Sequence, residues 1–134
     1  MSGLAPRLGR NPEATYRQVD LAGRTATADA HGLVDLLYEE LGRALAASAA
    51  AIRAGNLAVK SEKIARAVAI LFALEAGLDF ERGGPVAKTL AGVYRGARKQ
   101  ILDASLSLDP RPFQEVAANM AEIAAAWRQL RGAA

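Results

Sequence analysis

The residues of this chain that could support chemistry are carboxylates and a single histidine, so a metal site is the first candidate. His31 and Asp35 stand four positions apart and would share one face of a helix. A di-iron site between helices needs several inward carboxylates and usually paired histidines. Two ligands do not make such a site, and Glu39 and Glu40 lie on a predicted helix surface. We expect no metal or other cofactor.

The sequence also offers no convincing set of residues for acid–base or nucleophilic catalysis. Glu75 projects near a predicted core stripe, where it would reach the bundle end or an arginine. No serine has the setting of a nucleophile beside His31, and Gly83-Gly84-Pro85 lacks the continuation of a phosphate loop. An all-helical chorismate mutase would need inward arginines, whereas the candidates here are predicted to point away from the core: Arg43, Arg95 and Arg128. The residues favour a binding protein over an enzyme.

Composition indicates one soluble domain with one core. The chain has 134 residues, of which 51% are hydrophobic, 23% charged and 5% aromatic, and it has no cysteine. The longest apolar run, residues 68–74, is too short to cross a membrane. The net charge of +3 comes from interspersed residues rather than a dense basic run, which favours a solvated surface over nucleic-acid binding. We expect a cytoplasmic protein without membrane insertion, a monomer or weak homodimer when free.

Four helices must position any site. Residues 1–28 read as an N-terminal tail or strap, and residues 29–134 as the bundle. Apolar residues recur at helical spacing in four segments: 29–54, 57–81, 86–108 and 112–130. Gly55-Asn56 ends the first, Gly83-Gly84-Pro85 separates the second from the third, and Pro110 precedes the fourth. Short turns between long helices predict an all-α, antiparallel up-down four-helix bundle.

Several apolar and glycine residues fall outside the predicted core stripes. The second stripe is predicted as Ile64, Ala67, Val68, Leu71, Leu74 and Leu78. The third is predicted as Val86, Leu90, Val93, Ala97, Ile101, Ala104 and Leu108. Ile70, Phe72 and Leu102 stand about 100° or more from these stripes. Gly92 and Gly96 lie opposite the third stripe, where each costs roughly 1 kcal/mol of helix stability. A surface that another chain approaches, or tolerated drift in a stable helix, would account for them.

The ordered set of motifs resembles the flagellar export chaperone family FliS. Leu78-Asp79-Phe80-Glu81-Arg82-Gly83-Gly84 resembles that family's LD-x-[EK]-x-GG corner. Val93-Tyr94 stands in the place of its LY pair. Further matches are Ala87-Lys88, Leu90, Ile101-Leu102, Ala104, Asp109, His31-Gly32-Leu33-Val34, Leu37-Tyr38, Trp127 and Tyr16-Arg17-Gln18-Val19. The resemblance covers residues 16–130.

The resemblance implies a cytoplasmic bundle that binds the disordered C-terminal segment of flagellin. Such a protein prevents premature polymerisation and delivers flagellin to an export-gate component of the secretion system. Helix-in-groove recognition with coupled folding would supply the affinity. The residues expected to bind the partner are Tyr16, Val19, Ile64, Ile70, Phe72, Gly92, Tyr94, Gly96 and Leu102. Tyr16 and its neighbours would form a strap that covers the groove in the empty chaperone, or one that only packs on the body.

Two other functions remain open on the sequence. The bundle could be a generic adaptor for another secretion substrate, which would bind that substrate and not flagellin. It could also be a basic nucleic-acid binder, whose affinity would fall steeply with salt. The ordered motifs favour the chaperone over both.

Overall fold

A computed structural model describes the backbone of residues 30–133 and the side chains of residues 32–129. It contains four helices: α1 (Ala30–Ala54), α2 (Leu57–Ala76), α3 (Phe80–Ala104) and α4 (Arg111–Ala133). The described residues include no strand, so the predicted all-α four-helix bundle is confirmed. None of these helices is both long and apolar enough to cross a bilayer.

The chain divides into two units, Met1–Leu33 and Val34–Ala134, and the core lies in the second. The predicted strap, with Tyr16 and Val19, lies outside the described residues. Its predicted boundary at residues 28/29 stays a prediction.

Bonds between consecutive helices show that these helices run antiparallel. Each bond joins positions on the two sides of the short connection between the helices. The bonds run from Arg66 to Glu40 (2.7 Å), from Lys60 to the Ser105 carbonyl (2.9 Å) and from Gln100 to Glu115 (3.1 Å). Long helices that are joined by a short connection and bond to each other must reverse direction there, as in an up-down bundle.

The turn between α1 and α2 follows the sequence prediction. Gly55 has φ 71°, a left-handed conformation that its missing Cβ permits. The N–H of Asn56 donates to the Ala51 carbonyl at 2.9 Å, which closes the end of α1. The Asn56 side chain then accepts from the Val59 N–H at 3.1 Å and caps α2. Two residues therefore end one helix and begin the next.

The corner between α2 and α3 differs from the prediction. The second helix was expected to reach Glu81, but α2 ends at Ala76. Asp79 then caps a new helical turn by accepting from the N–H groups of Glu81 and Arg82, both at 3.1 Å. Gly84, with φ 51° and ψ −127°, interrupts α3 as a kink. The prediction assigned the break to Gly83-Gly84-Pro85 and did not include the capping aspartate, Asp79.

The core-facing side of α3 is rotated relative to the prediction in the first half of the helix. The buried residues of this helix are Ala87, Ala91, Tyr94, Ala97, Ile101 and Ala104, of which the last three were predicted. Leu90 and Val93, also predicted, are partly buried against the core. Val86 and Leu108, both predicted to be core residues, are exposed, and Leu108 lies beyond the helix end. In the first half the prediction followed the larger aliphatic side chains, whereas the helix packs there through alanines and Tyr94. Small side chains allow helix axes to approach closely.

A polar pair lies inside this core. The hydroxyl groups of Tyr38 in α1 and Tyr94 in α3 are 2.5 Å apart and form a buried hydrogen bond. Burial raises the pKa of both phenols, and for Tyr38 the hydrogen bond to Tyr94 raises it further. Both side chains are therefore neutral and tie two non-consecutive helices together.

Candidate partner-binding site

An open groove runs between α2 and α3, with a volume of about 580 Å³. Six positions of α2 and two at the end of α3 line it: Leu57, Lys60, Ser61, Ile64, Ala65, Val68, Leu102 and Ser105. We call this set the α2/α3 groove. Most of its side chains are apolar, so a partner seated there would remove apolar surface from water.

Small, uncharged side chains occupy several exposed positions of α2 beside the groove, although Leu57, Glu62 and Phe72 are exposed as well. The small ones include Ser61, Ala65, Ala69, Ala73 and Ala76. Helical spacing places the first three of these on one line along the helix. Short side chains leave the neighbouring walls of the groove accessible. A surface helix usually carries polar residues on its outward face.

Leu102 and Phe72, which stand off the predicted core stripes, are both exposed. Leu102 keeps 48% of its surface exposed and lines the groove. Phe72 keeps 56% and lies one helical turn beyond Val68. The guanidinium carbon of Arg98 lies 3.9 Å from the centre of the Phe72 ring, in a cation–π contact. The two residues thus extend the apolar surface along the same pair of helices.

Three predicted binding residues are buried. Ile64 is mostly covered, but its side chain contributes to the groove. Ile70 lies in the hydrophobic core instead of beside a groove. Tyr94 is buried against Tyr38. The prediction for Ile70 and Tyr94 is corrected here, because α2 buries a wider face than its predicted stripe and α3 is rotated. Neither side chain contributes to the described surface.

Gly92 and Gly96 are exposed, and a Cβ built on either would meet nothing within 4 Å. Intramolecular packing therefore does not require a glycine at these positions. They lie about 80° and about 120° around α3 from Leu102 at 100° per residue. The two glycines and Leu102 consequently face different sides of the helix, and the structure does not bring them into one groove. The predicted partner residues Tyr16 and Val19 lie outside the described residues.

A charged cluster lies one to two helical turns from Leu102, between the same two helices. Glu75 of α2 accepts from Arg98 at 2.6 Å and from Arg95 at 2.9 Å, both in α3. The hydrogen bond from Arg98 is the main reason that the pKa of Glu75 lies below its usual value, and both positive charges add to this. The expectation that Glu75 reaches an arginine is confirmed, and we call these three residues the arginine cluster.

Lys60 is a site residue that the sequence analysis missed. Its side chain is 8% exposed, and its Nζ donates to the carbonyls of Ser105 at 2.9 Å and Ser107 at 3.0 Å. These carbonyls follow the end of α3, so the ammonium group fixes one end of the groove. The signal was present, because Lys60 stands four residues before Ile64, at core spacing.

The described residues contain no group of three or more side chains able to hold a metal ion. Their arrangement presents an apolar groove, a charged cluster at its far end and a buried lysine at its near end. Fold and site together define a class: a four-helix bundle that presents an open apolar groove between two antiparallel helices.

Comparison with known families agrees with this class. The chain belongs to the flagellar protein FliS family, whose model matches residues 12–134. It is 31% identical over 116 residues to the flagellar secretion chaperone FliS of Salmonella typhimurium, with 86% of each chain covered. It is 31% identical over 115 residues to the FliS of Vibrio cholerae, which covers 86% of this chain and 85% of the relative.

A third relative is the flagellar secretion chaperone FliSB of Pseudomonas aeruginosa, 30% identical over 112 residues. That match covers 84% of this chain and 89% of the relative. Membership of this family supports a flagellar chaperone role and implies a non-enzymatic one.

Proposed function

We propose that this protein binds the C-terminal segment of flagellin while that segment is disordered. Binding would keep flagellin from polymerising early and allow its delivery to the flagellar export apparatus from the cytoplasm. The observation that carries the proposal is the α2/α3 groove, with Leu102 and Phe72 exposed along it. An amphipathic helical segment seated there would place its apolar face against these side chains.

The energetics suit a partner that must later be released. Full burial of a leucine- or phenylalanine-sized side chain contributes about 1.5–3 kcal/mol. Ordering a disordered segment costs several kcal/mol of the gross interaction energy. A few apolar anchors therefore give useful affinity, while the cost of ordering keeps the complex dissociable. No covalent step is needed at any stage.

Substitution of Leu102 by glutamate tests the groove directly. The carboxylate would lose its hydration beneath a bound apolar segment, so we expect binding of labelled flagellin to weaken at least tenfold. Because Leu102 is exposed, the free energy of unfolding should change by no more than about 0.5 kcal/mol. Val86→Glu is the matched control, since Val86 is an exposed apolar residue near the opposite end of α3. Fluorescence anisotropy gives the affinities and urea unfolding the stabilities.

Flagellin lacking its C-terminal segment completes the experiment. The proposal requires that the truncated flagellin fails to bind and that equimolar chaperone slows assembly of full-length flagellin, measured by light scattering. If Leu102→Glu bound flagellin as tightly as the unsubstituted protein does, the α2/α3 groove would not be the binding site. Binding of another secretion substrate, with none of flagellin, would support the adaptor function instead.

A further inference from the structure

The arginine cluster continues the α2/α3 groove instead of standing apart from it. Phe72 follows Val68 by four residues on α2, and Arg98 precedes Leu102 by four residues on α3. At 1.5 Å per residue the Phe72–Arg98 contact therefore lies about 6 Å beyond the Val68 and Leu102 end of the groove. Arg95 is about 10 Å from Leu102 along α3 by the same measure. A helical segment that fills the groove and extends in this direction would pass over the cluster.

The cluster carries an uncompensated positive charge. Glu75 supplies one carboxylate to two guanidinium groups, which leaves a local net charge of about +1. The Arg98 side chain is 12% exposed and is fixed between Glu75 and the Phe72 ring. The Arg95 side chain is 59% exposed, and its bond to Glu75 uses one of five N–H donors. Arg95 is therefore held in place by Glu75 and still has donors to offer a second acceptor.

The neighbouring basic residues, Lys99 and Lys88, are less suited to pair with a carboxylate of a bound segment. Lys99 lies four residues after Arg95 but is paired with Asp103 at 2.9 Å, so its charge is offset locally. Lys88 lies two turns before Arg95, farther from the groove. Charge complementarity thus singles out Arg95 as the position where a bound segment would gain from a carboxylate.

We propose that Arg95 recognises an acidic side chain of the segment bound in the α2/α3 groove. The acidic residue stands about seven positions, or two helical turns, from the apolar residue that packs on Leu102. Glu75 and the Phe72 ring position the two guanidinium groups, and the contact sets the register of the partner along the groove. This inference rests on the proposed function and adds a chemical requirement on the partner sequence.

The test uses a synthetic peptide of the flagellin C-terminal segment from the same organism. Each Asp or Glu of the peptide is replaced in turn by Asn or Gln. Every peptide is titrated against the unsubstituted protein, Arg95→Gln and the control Arg128→Gln. Arg128 is exposed on α4, so the control removes the same charge away from the groove. Circular dichroism checks that all three proteins are folded.

We expect Arg95→Gln to weaken binding of the native peptide about three- to tenfold, and Arg128→Gln less than twofold. One acidic replacement should weaken binding by a similar factor in the unsubstituted protein and have no further effect in Arg95→Gln. That acidic residue should lie about two turns from an apolar residue whose replacement is coupled to Leu102.

Two results would overturn the inference alone: equal losses for Arg95→Gln and Arg128→Gln, or acidic replacements that weaken binding to Arg95→Gln as much as to the unsubstituted protein. Both require that the native peptide binds. If the folded, unsubstituted protein binds no peptide, the proposed function itself fails and this inference fails with it.

Discussion

Lys60 shows how a single side chain can define one end of a binding groove. A lysine that leaves water loses hydration, and here two carbonyl oxygens replace it. Those carbonyls belong to Ser105 and Ser107, in the connection that follows α3. The same side chain lines the α2/α3 groove. Its ammonium group therefore links the groove wall to the loop that closes it.

Replacing Lys60 by methionine should destabilise the bundle by about 1–3 kcal/mol. The methionine side chain is apolar and fits the interior of the bundle, but the carbonyls of Ser105 and Ser107 lose a charged donor. Urea unfolding gives the free energy of unfolding. Lys63→Met is the control, because Lys63 contacts the adjacent Glu62 on the surface at 3.3 Å and should change stability little. An unchanged stability in Lys60→Met would mean that the two hydrogen bonds contribute nothing net.

The Tyr38–Tyr94 pair supports the prediction that one substitution destabilises the bundle more than two do. Tyr38→Phe leaves the Tyr94 hydroxyl buried without its partner, so we expect a loss of about 1–2 kcal/mol. Removing both hydroxyls, in Tyr38→Phe/Tyr94→Phe, leaves no orphaned group and should recover most of that loss. Thermal unfolding of the two single variants and the double variant measures the cycle. Additive losses would contradict a direct interaction.

At the residue level, helical periodicity placed Leu102 and Phe72 off the core stripes, and both are exposed. Ile70 failed by the same criterion, since α2 buries a face wider than one stripe. Tyr94 could not be placed correctly, because its position depends on a partner 56 residues away. Lys60 stands at core spacing before Ile64, but the carbonyls that it binds lie 45 and 47 residues away. Periodicity carries no information about such tertiary partners.

At the level of elements, the α3 helix is divided by Gly84. The main part of the helix begins after this residue, whose φ of 51° suits glycine. The sequence analysis correctly associated the Gly-Gly-Pro stretch with a break. It placed the end of α2 too late because Leu78 continues the apolar spacing although the helix has ended. Asp79 gave a capping signal, but a cap inside an apolar pattern is hard to distinguish from a surface residue.

Alanine substitutions at Gly84 and Gly92 should have opposite effects on stability. Gly84→Ala places a Cβ on a left-handed conformation and should cost about 1–2 kcal/mol. Gly92 has helical geometry and open space around its Cβ position, so Gly92→Ala should stabilise by up to about 1 kcal/mol. Chemical denaturation of both variants measures the difference. A destabilised Gly92→Ala would show that the helix needs its glycine for an intramolecular reason.

Across the whole molecule, ion pairs between helices make stability depend on pH. Glu40 of α1 bonds to Arg43 of its own helix and to Arg66 of α2. The hydrogen bond from Arg43, followed by that from Arg66, lowers the pKa of Glu40 from 4.5 to about 2. A carboxyl with a depressed pKa in the folded state stabilises above its unfolded pKa. That contribution is lost as the pH falls from about 4.5 towards 2.

The loss should amount to about 1 kcal/mol, because the pair is partly exposed and water screens it. We expect Glu40→Gln to lower stability at pH 6 but to reduce the additional loss between pH 6 and pH 3 by about half of that amount or more. Glu122→Gln, an exposed carboxylate on α4, is the control and should keep the full acid dependence. Urea unfolding at both pH values decides the matter. An acid dependence that is identical in all three proteins would show that Glu40 titrates normally.

The bundle as a whole could be predicted because four amphipathic segments and their turns agree with one another. The groove could not be predicted in detail, because it depends on how α3 rotates against α2. The small outward face of α2 was visible in the sequence as Ser61, Ala65 and Ala69. That part of this face lines a groove follows only from the structure, which places Leu102 of α3 beside it.

We propose that the α2/α3 groove binds a flagellin segment by burying apolar surface, and calorimetric titration with the synthetic C-terminal peptide, repeated at several temperatures, measures that burial. We expect saturable one-to-one binding with a heat-capacity change on the order of −0.3 kcal/mol/K. The absence of binding by a protein that circular dichroism shows to be folded would contradict the claim and leave only the fold.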